Sequence, residues 1–162
     1  MNTFTSDEFL LKVVNDYSDM IIRIAFQYTK NRPDAEDIMQ DVLVSLVKQC
    51  DTAKLTFQSE AHLKAWLIRV VINKAKDYLR MAKRRKFESL DKAEHVLTNL
   101  QEEVLEELDQ LSEDDRNCIY LFYYEKYTAK EIATIFQSQE KAVLMRLSRA
   151  RKKLKFILET EI

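Results

Sequence analysis

The chain has 162 residues, 46% apolar and 33% charged, with 26 Lys and Arg against 27 Asp and Glu for a formal net charge of −1. That length holds one ordinary domain or two small ones. It contains no glycine and one proline, which excludes glycine-rich phosphate loops and deprives hairpin-joined sheets of their usual turn residues, so the expected fold is all-α.

A first helix is predicted from about residue 6 to 29. Thr5 and Glu8 have capping-box spacing, and Phe9, Val13, Tyr17, Ile21, Ile24 and Tyr28 recur at helical intervals. The stretch KNRP at 30–33 breaks it, and Pro33 suits the first position of a second helix, where a missing N–H costs nothing. Asp34, Glu36 and Asp37 complement that helix's N-terminal dipole, and Ile38, Val42 and Leu46 face inward as it runs to about Gln49. Residues 50–60 read as a loop. A third helix follows over about 61–85, its apolar stripe of Leu63, Trp66, Leu67, Val70 and Val71 continuous to Leu79 before RMAKRRK leaves the core. Trp66 reads as core.

Residues 87–99 have weak periodicity and read as a flexible linker between two small helical domains, 1–86 and 100–162. In the second, Ser112 with Asp115 marks a helix start, with Ile119, Phe122 and Tyr123 as its buried face. Thr128 and Glu131 form another capping box, opening a short helix through Ile132 and Ile135. A last helix starts near Ser138 and carries Val143, Leu147 and Leu154 inward. Short helix, tight turn, second helix ending in cations is a helix-turn-helix pattern.

Charge is segregated. Residues 62–87 hold nine Lys and Arg against Asp77 alone; 88–115 hold eleven Asp and Glu against Lys92; 141–155 hold seven cations and no acid. A solvated helix face normally mixes signs at i,i+4. Blocks of one sign repel themselves and call for an outside counter-charge, and nucleic acid is the polyanion that fits both basic blocks. Cys50 and Cys118 lie far apart in apolar helical stretches and read as buried free thiols, which suits a reducing cytosol. His62 and His95 have no ligand-spaced partner, so neither a metal nor a cofactor is expected. MIIRIAF and WLIRVVI are interrupted by Arg23 and Arg69 and are too short to span a bilayer, and the N-terminus lacks a signal-peptide layout. A cytoplasmic protein without membrane insertion is the expectation.

The segments DAEDIMQD (34–41), WLIRVVIN (66–73) and DYLR (77–80) resemble region two of bacterial RNA polymerase sigma factors, in particular the extracytoplasmic-function group. LDQL (108–111), Arg116, EIA (131–133) and RLSRARKKL (146–154) resemble region four of the same group. The resemblance implies a non-enzymatic factor that binds core RNA polymerase at its clamp and flap, recognises promoter DNA and helps to melt it. It assigns Asp37, Gln40 and Asp41 to the clamp, and Phe57, Asn73, Lys74, Asp77, Arg80 and Arg84 to the minus-ten element. Phe57 and Asn73 would offer an apolar wall and an amide to an extruded base. For the minus-thirty-five element it points to Leu144, Met145, Arg146, Arg149 and Arg151, with Arg146 and Arg149 nearest the bases. An anti-sigma partner is common in that group, although no residue here demonstrates one.

The chain departs from the pattern at Gln137, where glycine is usual, at Ala142, where threonine is, and at Leu144, where a polar or basic residue is. Two other functions fit these residues: a stand-alone helix-turn-helix regulator, and a sigma-like polymerase-binding protein with weak reading of DNA sequence.

Overall fold

The structure, a computed structural model, describes residues 7–51, 57–88 and 111–160. The described residues hold helices and turns and no strand. The chain divides into two compact units, Met1–Val96 and Leu97–Ile162.

The first unit is three long helices that pack on one another: α1 (Asp7–Thr29), α2 (Arg32–Asp51) and α3 (Glu60–Glu88). α1 opens on Asp7 and Glu8, which complement its dipole, and buries Val13, Met20, Ile21, Ile24, Ala25 and Tyr28. Thr5, and with it the predicted capping box, lies outside the described residues. α1 stops at Lys30, whose backbone is left-handed (φ 56°) and whose N–H bonds the Phe26 carbonyl at 2.9 Å. Asn31 then caps α2, its Oδ1 accepting from the Asp34 N–H at 2.8 Å. Pro33 is therefore the second helical residue, not the first, but its nitrogen is still among those that need no intrahelical partner. Ser59 caps α3, its hydroxyl accepting from the His62 N–H at 3.1 Å. Leu63, Leu67, Ile68, Val71, Ile72 and Ala75 bury α3 against the other two helices.

Two polar ties fasten α3 from both ends. Glu60 receives hydrogen bonds from Lys12 and, at 2.6 Å, from the Tyr17 hydroxyl. Those bonds hold the Glu60 carboxyl below its ordinary range and the Lys12 ammonium above its own. Tyr78 donates to Asp34, and burial first, then that carboxylate, pushes the phenol up. α3 also runs on to Glu88, past the predicted end at 85, so Phe87 and Glu88 belong to a helix and not to a linker. The remainder of the predicted linker lies outside the described residues. Cys50 is half-buried where full burial is predicted; Cys118 is buried, and neither is in a disulfide.

The second unit is built from shorter pieces. α4 (Glu113–Ile119) starts at Ser112, whose hydroxyl accepts from the Asp115 N–H at 3.3 Å. It passes directly into a π-helical turn over Tyr120–Tyr124, closed by the Glu125 N–H on the Tyr120 carbonyl. Here the inward residues are Arg116, Asn117, Cys118 and Leu121, so that Cys118 and Leu121 stand one residue before the predicted Ile119 and Phe122, and the predicted Tyr123 has no buried counterpart. The correction is one of register: with Leu121 wholly buried, Ile119 and Phe122 are half-buried and Tyr123 and Tyr124 lie outside. After a left-handed Lys126 (φ 63°), Thr128 and Glu131 form the predicted reciprocal capping box, each bond 3.1 Å, and α5 (Ala129–Phe136) begins. α6 (Glu140–Thr160) follows, buried through Val143, Leu147 and Ala150.

The α5–α6 turn is made without glycine. Gln137 adopts φ 53°, ψ 46°. Its N–H bonds the Thr134 carbonyl at 3.2 Å while the Ser138 N–H bonds the Ala133 carbonyl at 2.8 Å. That pair of bonds is a Schellman closure, which normally recruits glycine at the left-handed residue.

Candidate nucleic-acid and partner interfaces

α2 separates its acids by use. Asp34 is consumed by Asn31 (2.8 Å) and Tyr78, and Glu36 by Arg32 (2.9 Å). Asp37, Gln40 and Asp41 are exposed and have no side-chain partner among the described residues. Successive turns of α2 place Asp37, Asp41 and Val44 on one outward strip, since residues four and three apart share a helix face. Val44, 49% exposed, was not singled out from the sequence; its apolar type made it look like core.

α3 carries a second outward strip. Asn73, Asp77, Arg80 and Arg84 recur at helical spacing and all are exposed, with Lys74 half-buried beside them. Asp77 accepts from Arg80 at 3.1 Å, an exposed i,i+3 pair of small energetic weight. Phe57 lies N-terminal of this strip. Its ring packs edge-on against Trp66 (centroids 5.7 Å apart) and His62 (5.4 Å), and the Gln58 N–H donates to His62 Nδ1 at 3.2 Å. Trp66 precedes Asn73 by two turns on the same face, roughly 10 Å along the axis. Phe57 and Asn73 thus stand toward two ends of a shallow floor rather than as facing walls. Trp66 is half-buried, where the sequence placed it in the core, and it forms part of that floor. His62 and Trp66 are the site neighbours that sequence reasoning missed: contacts with a loop residue leave no mark on helical periodicity.

In the second unit Arg146 departs from its predicted place. The sequence sets it among base-reading residues, whereas its guanidinium donates to Asp115 Oδ1 of α4 at 2.9 Å and is only 35% exposed. The reason is position on the helix: Arg146 follows Val143 by three residues and so shares the flank that packs on α4. Arg149 and Arg151 are exposed, and Arg151 Nε also donates to the Leu147 carbonyl at 3.3 Å. Leu144 and Met145 are exposed too, at 47% and 56%.

Among the described residues no cluster of His, Cys, Asp or Glu could hold a metal, and no helix is long and apolar enough to cross a membrane.

Comparison with known proteins identifies the family. The model of sigma-70 region 2 matches residues 13–85 and that of sigma-70 region 4 matches residues 101–154. The chain is 27% identical to the RNA polymerase sigma factor SigV of Bacillus subtilis, over 97% of this chain and 95% of that protein. It is 25% identical to the RNA polymerase sigma-H factor of Pseudomonas aeruginosa, covering 86% and 80%. Among solved structures it resembles the sigma factor RpoE from Bartonella quintana, determined with the anti-sigma factor NepR, with a TM-score of 0.76, 23% identity and 97% and 100% coverage. It also resembles CnrH, determined with the cytosolic domain of CnrY, with a TM-score of 0.69, 23% identity and 97% and 92% coverage. The all-α fold is shared with both. Region two followed by region four, over matching length, sets aside a stand-alone helix-turn-helix regulator. The chain belongs to the sigma-70 family of RNA polymerase sigma factors, in its extracytoplasmic-function group, and so binds core RNA polymerase and directs it to promoter DNA to initiate transcription.

Proposed function

We propose that the work of this sigma factor is divided among three outward strips. Asp37, Gln40 and Asp41 on α2 dock on a basic surface of the polymerase clamp. The floor of Phe57 and Asn73, with Asp77 one turn on, receives a base extruded from the minus-ten element; Lys74, Arg80 and Arg84 neutralise the neighbouring phosphates. In region four, α6 enters the major groove of the minus-thirty-five element with Arg149 and Arg151 on bases or backbone, while the unit also meets the flap. Residues 1–88, with α3 carried to its end, and 100–162 act as the two domains, and 89–99 lets each reach its own element. Catalysis is left to the polymerase, the setting is the cytoplasm, and an anti-sigma protein is a further partner, as RpoE was determined with the anti-sigma factor NepR.

The observation that carries this reading is the sorting of acids along α2. Asp34 and Glu36 are bonded internally, whereas Asp37, Gln40 and Asp41 are exposed without a side-chain partner among the described residues. A dipole-complementing role therefore accounts for the first pair and leaves the second set for an outside surface.

Three alanine sets test it in pull-down with core polymerase and in run-off transcription. Replacing Asp37, Gln40 and Asp41 together should abolish capture of core polymerase, and Glu36→Ala should not. Phe57→Ala and Asn73→Ala should leave capture intact and reduce promoter opening at least tenfold. Normal opening by both would remove the base-floor assignment.

A further inference from the structure

Where a groove-entering helix usually offers polar groups, α6 offers apolar ones. Val143, Leu147 and Ala150 bind it to its unit, and Met145 lies about 200° round the helix from Val143, on the side facing away. Met145 and Leu144 are 56% and 47% exposed, and Ala142 beside them is exposed as well. Arg146 is turned back onto Asp115. Residues 141–148 (KAVLMRLS) include no carboxylate and no carboxamide. That stretch therefore has no carboxylate to accept from a cytosine amino group and no carboxamide to pair bidentately with adenine, and Ser148 is its one side-chain hydroxyl.

The occupant of this apolar face follows from its surroundings. Lys141, Arg149, Lys152 and Lys153 are exposed around it and have no partner among the described residues, a frame of positive charge suited to phosphate. Region four is also the DNA-contacting part of the family to which the chain belongs. Within a major groove the one apolar group on a base edge is the C5-methyl of thymine. A G·C pair under Leu144 or Met145 would leave its donors and acceptors buried without partners.

We propose that Leu144 and Met145 are specificity-determining residues, and that they make region four select thymine by its methyl group within the upstream promoter element. This rests on α6 lying in the major groove, as assigned above. The same residues separate this chain from a factor that only holds phosphates: two apolar side chains over base edges discriminate sequence without a bidentate pair.

The test uses the full-length protein with core polymerase on a promoter found by run-off transcription of fragmented genomic DNA. Each thymine of the upstream element is replaced in turn by deoxyuridine, which removes the methyl and nothing else. At one or two positions the open-complex yield at limiting holoenzyme should fall about fourfold, the value of one buried methyl-sized group. The variant carrying Leu144→Ala and Met145→Ala should treat thymine and deoxyuridine templates alike while still capturing core polymerase. Indifference of the unaltered protein to deoxyuridine overturns the proposal. So does loss of core capture by the double variant, which would make the apolar pair a protein-docking surface. If randomising the whole upstream element leaves transcription unchanged, the groove assignment falls with it; if the element matters but its methyls do not, only the present inference falls.

Discussion

In the first unit, the residues that hold the helices together and the residues left for partners do not overlap. Val13, Ile24, Val42, Leu46, Leu67 and Val71 are buried without polar company, and the ties of Glu60 and Tyr78 sit at the rim. Asp37, Gln40, Asp41, Asn73, Arg80 and Arg84 are all exposed. In the second unit the two roles interleave. Its core takes in Arg116 and Asn117, and Arg146, a cation of α6, is drawn into the packing by Asp115. The difference follows from helix length. Helices of 23, 20 and 29 residues bury long apolar stripes, whereas α4 and α5 have 7 and 8 residues, too short to be stable alone. A small unit recruits caps, a π turn and charged side chains to close its fold, so function and stability share residues there.

The largest expected effect separates the units by stability. Leu67 and Leu147 are both wholly buried, and truncating either to alanine should cost about 2–5 kcal/mol. That is a fraction of what three long helices supply and comparable with everything a unit this small can muster. By amide hydrogen exchange, Leu147→Ala should erase protection across α4 to α6 while α1 to α3 keep theirs. Leu67→Ala should lower protection in α1 to α3 without erasing it. Equal losses in the two units would break the comparison.

A smaller effect sharpens the interleaving. Arg146→Ala leaves the Asp115 carboxylate half-buried and unpaired, so it should destabilise by about 1–2 kcal/mol in urea melts. Arg149→Ala removes an exposed cation and should stay within about 0.5 kcal/mol of the parent. Promoter binding by holoenzyme should reverse the order, with the slope of log affinity against log salt falling by about 1 for Arg149→Ala alone. A double-mutant cycle of Arg146 with Asp115 should give a coupling near 1 kcal/mol. An Arg146→Ala protein of unchanged stability but flatter salt dependence would return Arg146 to the DNA contacts.

What could be read from the sequence was whatever is local. The Thr128–Glu131 and Ser112–Asp115 caps span three residues and were legible; so were the buried Val13, Ile21, Ile24 and Tyr28 of α1 and Leu63, Leu67 and Val71 of α3, though Phe9, Tyr17, Trp66 and Val70 of the same stripes are half-buried. The cations of α6 were legible as a block of one sign, whereas the outward acids of α2 were singled out only through the family resemblance. Contacts between elements were not. Arg146 and Asp115 are 31 residues apart, and Tyr78 and Asp34 are 44 apart. Which flank of α6 meets α4 depends on packing, and the inserted residue of the π turn shifts register without changing the apolar pattern that precedes it. Phe57 is the instructive case: its residue type marked it as apolar, but only the fold shows that it packs edge-on against Trp66 and His62.

The smallest effect concerns two left-handed residues, one in each unit. Lys30 (φ 56°) ends α1 and Gln137 (φ 53°) ends α5, and in both the Cβ crowds the following carbonyl at a cost of roughly 1–2 kcal/mol. Glycine removes that crowding but gains freedom in the unfolded chain, so the net gain should be about 0.5–1 kcal/mol for either Lys30→Gly or Gln137→Gly. The consequences differ. Lys30 joins α1 and α2, which already pack on each other, so its variant should alter melting and nothing else. Gln137 sets the angle at which α6 leaves α5, through the two bonds of its Schellman closure, and a glycine there has a wider range of angles to sample. Gln137→Gly should therefore raise the stability of the second unit while weakening promoter binding two- to threefold, measured by urea melts beside open-complex titration. If both properties improve together, the turn is merely strained, and the absence of glycine has no part in holding the recognition helix.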